Sequence, residues 1–311
     1  MSLPSLPTRL EGAELAIETR SVRKRYDPGA VALDGLDLQV PTGAVYVLAG
    51  PNGSGKSTAI RVLLDIVRAD SGTARVLGIE TTSDPALVRA QIGYVPETSE
   101  TGYESFTVER FFRHHAAFFE GWDWEYAGLL CRRLNVRYME SMERLSKGAL
   151  RSAILVTALA HRPPVLLLDE PTDGLDPVAR EEFIALLVDH LADSPTTLLW
   201  STHHVHEVER LADHLGVLRE GRLVLQASRD EVRLRLRRYR AGVPEGWTGA
   251  PGLNGQVLLR EGEGREVALT VWGEEREVVE RLAAAGATVR DAVPLSMEEA
   301  TLALLRAGSD A

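Results

Sequence analysis

The stretch Gly50-Pro-Asn-Gly-Ser-Gly55-Lys56-Ser57-Thr58 decides how this 311-residue sequence is read. It satisfies G-x-x-x-x-G-K-[S/T] and follows the continuous apolar run Ala44-Val-Tyr-Val-Leu-Ala49. Such a run reads as a buried strand, and the apolar spacing Ile60, Leu63, Leu64, Val67 after it is helical. Strand, glycine-rich turn and helix together make a phosphate cradle. The glycines let successive backbone N–H groups face inward, and the helix adds the positive end of its dipole. Gly50, Pro51, Asn52, Gly53, Ser54, Gly55, Lys56, Ser57 and Thr58 are therefore the expected polyphosphate-binding residues. In such a cradle the lysine reaches the β- and γ-phosphates and the first hydroxyl, here Ser57, ligates Mg²⁺. A glycine-rich turn without a ligand is the bland alternative, and the strand–turn–helix context weighs against it.

Further along, Val165-Leu-Leu-Leu-Asp169-Glu170 is a second buried-strand run, and this one ends in two carboxylates. Beside a phosphate loop, Asp169 is placed to anchor Mg²⁺, and Glu170 to orient or deprotonate an attacking water. An isolated Asp-Glu pair would read as a helix cap or a solvated loop; the upstream motif changes that reading. A third run, Thr196-Thr-Leu-Leu-Trp200, leads into Ser-Thr-His-His. Helical patterns near Ala149–Leu159 and Val178–Leu191 separate the strands, so the expected fold is α/β with a mainly parallel sheet.

These residues resemble the ATPase subunit of the ATP-binding cassette (ABC) transporters over roughly residues 15–228. Tyr26, in Arg25-Tyr26-Asp27, resembles the aromatic that stacks on adenine. Glu97, in Tyr94-Val-Pro-Glu97, sits at the Q-loop position. Leu145-Ser146-Lys147-Gly148-Ala149 occupies the signature-motif position, Pro171-Thr-Asp-Gly-Leu-Asp176-Pro resembles the D-loop, and His203 matches the switch histidine. The resemblance implies a P-loop NTPase core with ATP and Mg²⁺ as ligands, the metal held by Ser57, Asp169 and Glu97. It implies catalysis by Glu170 and His203, and a head-to-tail pair of cassettes in which Ser146, Lys147 and Gly148 of one chain cap the γ-phosphate held by the other, with Asp176 in the D-loop. Two positions depart from the family pattern. Glu97 stands where Gln is usual and adds negative charge near the phosphates, and the signature reads Leu-Ser-Lys-Gly-Ala rather than Leu-Ser-Gly-Gly-Gln. Both variants resemble a bacterial subgroup serving separate ABC-2-type membrane subunits, as do Phe118-Phe-Glu-Gly-Trp122-Asp-Trp124 and the tail Leu295–Leu304.

The expected organisation is an N-terminal extension (1–14), a nucleotide-binding domain (15–229) with a helical subdomain at about 98–148, and a small α+β accessory domain (230–311). The subdomain is dense in aromatics, among them Phe111, Phe112, Phe118, Phe119, Trp122 and Trp124. Most are expected in the core; the resemblance adds a docking groove for a cytoplasmic helix of a membrane subunit, which some of the aromatics of 103–126 are expected to line, with Glu97 connecting it to the nucleotide and Trp122→Ala or Trp124→Ala expected to uncouple transport. In the accessory domain the pattern predicts strand-strand-helix-strand-helix. The stretch Arg233–Arg240 stays open between helix and strand, its arginines read as a solvated face rather than a site for lipid headgroups or an acidic substrate. His203, His204 and His206 suggest a metal, but their spacing does not put all three on one face and no Cys lies near, so a zinc site is not expected.

Charge and cysteine content narrow the function. Against 45 Asp and Glu stand 35 Lys and Arg, a formal net charge of −10, which disfavours wrapping nucleic acid. The single Cys131 suits a reducing compartment. No secretory leader is read at the N-terminus and no run approaches ~18 apolar residues. The expectation is a cytoplasmic ATP hydrolase, peripheral on the membrane through a separate permease, paired with a second cassette chain and powering a transporter, an exporter by subgroup. Its rivals are a soluble cassette acting on ribosomes or nucleic acid and a phosphotransferase on the same loop. The single cassette, the lack of a long heptad run and the signature and switch residues count against these.

Overall fold

The structure, a computed structural model, describes residues 6–10, 12–26, 29–98, 102–253, 255–262 and 264–307. At its centre lies a six-stranded sheet. In spatial order its strands are Arg222–Ser228, His214–Arg219, Val45–Ala49, Thr197–Thr202, Val165–Asp169 and Ile92–Val95. All pairings are parallel except the antiparallel edge formed by Arg222–Ser228. The three central strands are buried at every residue, as expected of strands covered on both faces.

Side-chain alternation sorts these strands between two cores. Val45, Val47, Ala49, Leu166, Leu168, Leu198 and Trp200 point to one face. There they meet the helices Lys147–Leu159, Pro177–Asp193 and Met297–Arg306. Tyr46, Leu48, Val165, Leu167 and Leu199 point to the other, against the helix Lys56–Leu63 and an antiparallel sheet. That second sheet comprises Leu15–Tyr26, Ala30–Leu36, Gln39–Pro41, Ser71–Val76 and Ile79–Glu80.

The aromatic-rich segment is helical, with Val108–Ala116 capped by Thr107 and Trp124–Arg133 capped by Asp123. The ambiguous arginine stretch resolves into both alternatives: a helix Arg229–Arg235, then a strand Leu236–Gly242. Its arginines face carboxylates, with Arg237 3.2 Å from Glu275 and Arg238 3.7 Å from Glu299. The strand belongs to a four-stranded antiparallel sheet with Val257–Glu261, Glu266–Trp272 and Thr288–Pro294, backed by the helix Glu275–Ala284.

This C-terminal unit has a small core of its own around Tyr239, Leu253, Val271 and Leu282. It also contributes Val232, Leu236, Leu258, Trp272, Met297, Ala300 and Leu304 to the main core. The helix Met297–Arg306 carries most of that junction. Ser296 and Glu299 form a capping box at its start, and Glu209 accepts the Met297 N–H at 2.7 Å. Among the described residues no helix is long and apolar enough to cross a membrane.

Candidate functional site

The C-terminal ends of three adjacent parallel strands converge on one place, where open α/β sheets bind ligands. Val45–Ala49 runs into the glycine loop, Val165–Asp169 into Asp169 and Glu170, and Thr197–Thr202 into His203. The register fixes their neighbours: Ala49 pairs with Thr202, and Asp169 with Ser201. A cavity of about 300 Å³ opens there, lined by Tyr26, Gly53, Lys56, Ser57, Glu97 and Glu170 among others. One hollow thus gathers residues separated by up to 144 positions (170 − 26), from four parts of the chain.

The loop's shape depends on glycine. Gly55 has φ of 109° and caps the helix Lys56–Leu63; a Cβ on it would stand 2.4 Å from the Ala32 carbonyl oxygen. No side chain caps that helix, which leaves its first N–H groups for a ligand. Lys56 Nζ donates to the Gly50 carbonyl at 2.8 Å and lies 3.0 Å from Glu170 Oε1.

Asp169 is fully buried. Ser201 Oγ donates to its Oδ1 at 2.5 Å and Ser57 Oγ at 3.1 Å, while Oδ2 has no protein partner. Burial raises the Asp169 pKa first of all; the serine hydrogen bonds oppose this, and the charges of Glu97 and Glu170 add to it. Ser57 Oγ also lies 3.3 Å from Glu97 Oε2. An orphaned buried carboxylate oxygen, a hydroxyl and a second carboxylate are all-oxygen donors, the set a hard divalent cation takes. The residues therefore fit Mg²⁺.

Glu170 sits at φ 44°, in the left-handed region, which costs a non-glycine residue on the order of 1–3 kcal/mol. Its Oε2 lies 3.0 Å from His203 Nδ1 and accepts the His203 backbone N–H at 3.3 Å. The loop after His203 is tied down in turn: Glu207 accepts from Thr172 Oγ1 at 2.5 Å and pairs with Arg180 at 2.7 Å.

Ser146, Lys147, Gly148 and Asp176 lie outside the cavity lining. Ser146 caps the helix Lys147–Leu159 by accepting from Ala149 N at 3.2 Å, and Ser146 and Lys147 are exposed. Asp176 caps Pro177–Asp193, accepting from Val178 N and Ala179 N at 3.0 Å each. The helix N-terminus that Ser146 caps is thus no part of the cavity that Lys56 and Glu170 line.

Arg151 went unnoticed in the sequence. Only 4% exposed, it donates to the carbonyls of Pro96 and Glu97, the second at 2.8 Å, and so fastens the Glu97 loop to the helix that Ser146 caps. Burial lowers its pKa, and the carboxylates of Asp173, Asp169 and Glu97 oppose that. The available signal was one arginine amid the apolar run of Lys147–Leu159.

Aromatics of the helical segment also line a groove. A groove of about 310 Å³ between the sheet and the helical segment is lined by Tyr94, Tyr103, Phe111, Phe119, Ile154 and His161 among others. Trp122 and Trp124 are not in it. Trp122 packs on the main core 6.3 Å from the Phe112 ring, and Trp124 is 46% exposed with the Arg113 guanidinium 6.0 Å from its ring. Some aromatics of 103–126 thus line the groove and others do not, because aromatic density does not tell which helix face each ring occupies.

The fold and cavity define a P-loop nucleotide-hydrolysing cassette, and the comparisons agree. Residues 33–173 match the ABC transporter family. The daunorubicin/doxorubicin resistance ATP-binding protein DrrA of Streptomyces peucetius is 36% identical over 229 residues, 70% of this chain and 67% of that one. The ABC transporter ATP-binding protein YtrB of Bacillus subtilis is 33% identical over 217 residues, 70% of this chain and 73% of its own. Nod factor export ATP-binding protein I of Paraburkholderia xenovorans is 36% identical, covering 69% and 71%. A solved ATP-binding subunit of an ABC transporter superposes with a TM-score of 0.65 at 28% identity, over 71% of this chain and 92% of that one. A dimeric bacterial ABC transporter cassette, at TM-score 0.62 and 22% identity over 68% and 98%, shares the fold. The chain belongs to the ABC transporter family and is an ATP-binding, ATP-hydrolysing transporter subunit.

Proposed function

We propose that this chain drives an exporter built from separate membrane and ATPase polypeptides, and that two cassettes close head-to-tail over ATP in each cycle. The carrying observation is the division of the site: the glycine loop, Glu97 and Glu170 share one cavity, while Ser146, Lys147 and Gly148 lie outside it, the first two exposed. A polyphosphate in this cradle is covered on one side only, so a second chain's signature residues complete it.

In this reading Tyr26 stacks on the adenine, and the loop N–H groups with Lys56 hold the β- and γ-phosphates. Ser57, Asp169 and Glu97 hold Mg²⁺, which when bound neutralises charge developing on the phosphates. Glu170, released from Lys56 as the phosphates arrive, accepts a proton from the attacking water, and His203 bridges Glu170 and the γ-phosphate. Asp176 holds the D-loop at the cassette–cassette interface. The groove beside Phe111 and Phe119 receives a short cytoplasmic helix of the permease, and Arg151 carries its movement to Glu97. Such a complex puts the chain on the cytoplasmic face of the membrane. Export is the role printed for the Nod factor relative, and resistance for the daunorubicin relative.

The test is to trap tagged Glu170→Gln with MgATP in its native cell and identify what co-purifies after gentle solubilisation. A multi-spanning membrane protein supports the proposal. Ribosomal subunits or nucleic acid, with no membrane protein, overturn it.

A further inference from the structure

The histidine cluster changes membership in three dimensions. His206 turns away to Glu298, 3.1 Å distant, and Asp173 takes its place. One ligand atom each from Asp173, His203 and His204 lies within 4.8 Å of the others, and the two rings are 3.8 Å apart centre to centre. A cation held at about 2.1 Å from each draws those atoms closer together than that outer limit.

The surroundings resemble a metal site's outer shell. His203 Nδ1 faces Glu170 Oε2 at 3.0 Å, the carboxylate–histidine arrangement that fixes a ligating imidazole's tautomer and leaves its other nitrogen for the metal. Asp173 is tied to the same residue, its backbone N–H donating to the Glu170 carbonyl at 3.2 Å. His204 N donates to Thr202 Oγ1 at 2.9 Å, which fixes the start of its loop. Two imidazoles and one carboxylate, with a position open to water, suit a borderline cation such as Zn²⁺ and not Mg²⁺.

We infer that Asp173, His203 and His204 form a site for a zinc-like divalent cation, distinct from the all-oxygen Mg²⁺ set, and that its occupation halts hydrolysis. A cation there takes the His203 nitrogen that would face the γ-phosphate. Binding needs nothing beyond the three side chains; the inhibition rests on the proposed role of His203, and the two are read separately.

The experiment uses the untagged full chain, nucleotide-free, in excess Mg²⁺. Co²⁺ serves as the optical probe and Zn²⁺ as the competitor, with Zn²⁺ affinity measured by calorimetry. The expected result is one site per chain with the intense visible absorption of low-coordinate Co²⁺, displaced by Zn²⁺. His204→Asn removes that absorption and weakens Zn²⁺ at least about tenfold, and His206→Asn leaves both unchanged. Asp173→Asn gives the same loss and serves if His204→Asn does not fold. Zn²⁺ should also stop ATP hydrolysis reversibly on chelation, at an at least about tenfold higher concentration in His204→Asn. Only weak six-coordinate Co²⁺ absorption, or equal Zn²⁺ affinity in wild type and His204→Asn, overturns the site. Tight Zn²⁺ binding with undiminished hydrolysis overturns the inhibition and the His203 role while leaving the site.

Discussion

Lys56 Nζ stands 3.0 Å from Glu170 Oε1, and both side chains are only 5% exposed. The loop lysine and the carboxylate at the end of the neighbouring strand neutralise each other where water is scarce. Breaking such a pair without replacement leaves a buried charge, so an incoming polyphosphate must supply the anion that Glu170 gives up. In the proposed reading, nucleotide binding and release of Glu170 are one event.

Glu170→Gln keeps the shape and removes the negative charge. The variant should still bind MgATP, because Lys56 is freer, and hydrolysis should fall about a hundred- to ten-thousand-fold. Nucleotide binding and phosphate release measured on one preparation check this; undiminished turnover would remove Glu170 from the chemistry.

Arg151→Met takes two donors from the Pro96 and Glu97 carbonyls. Each charge-assisted bond is worth about 1.5–3 kcal/mol, so thermal unfolding should occur several degrees lower and hydrolysis at saturating ATP should drop. Arg151→Lys offers a single point donor and should recover only part of the rate. Wild-type rate and unfolding temperature in Arg151→Met would show that something else holds the Glu97 loop.

His190 makes stability depend on pH. Only 1% exposed and 2.9 Å from the Tyr126 hydroxyl, it has its pKa lowered from 6.5 to about 4, chiefly by burial and then by the Arg162 charge. The folded value lies below the unfolded one, so this contribution is complete above pH 6.5 and is lost as pH falls toward 4. The loss by pH 5 is roughly 2 kcal/mol. Denaturant titrations at pH 7.5 and 5 should converge in His190→Gln relative to wild type; an unchanged difference assigns the acid sensitivity elsewhere.

Trp122→Ala and Trp124→Ala should separate. Trp122 is packed on the main core, and its truncation should cost roughly 3 kcal/mol. Trp124 is 46% exposed, and its truncation should fall within about 1 kcal/mol of wild type. Phe119→Ala, in the groove wall against His161, should leave basal hydrolysis and weaken coupling to a permease. Urea midpoints distinguish the tryptophans, and a Trp124→Ala loss matching that of Trp122→Ala would mean both rings are core.

What could be read in advance follows from what the chemistry requires. A polyphosphate cradle needs consecutive N–H groups, so Gly50–Thr58 had to be contiguous and was visible. Buried parallel strands need unbroken apolar runs, so Val45–Ala49, Val165–Asp169 and Thr197–Thr202 were visible too. Glu97, Ser146 and Asp176 carry no local pattern and were reached only through family resemblance. Arg151 reaches carbonyls 54 and 55 positions away, and Asp173 meets His203 across a 30-residue gap (203 − 173), so no window of sequence contains either relationship. The arginine stretch stayed ambiguous because it holds a helix and a strand in succession.

The helix Met297–Arg306 packs Met297, Ala300 and Leu304 into the core shared with Val205, Val208 and Ala212, just after His203. During synthesis this gives the chain an order of assembly. The strand Arg222–Ser228 ends about 70 residues earlier, which at roughly 5–20 residues per second is some 4–14 s of translation. Through that interval the nascent cassette has its phosphate loop yet leaves the back of its histidine segment bare. Ribosome-arrested chains ending before residue 297 should therefore be cut by protease within 203–212, and chains extended past 306 by the length of the exit tunnel should resist. Equal resistance would show that the histidine segment settles without its late-arriving partner.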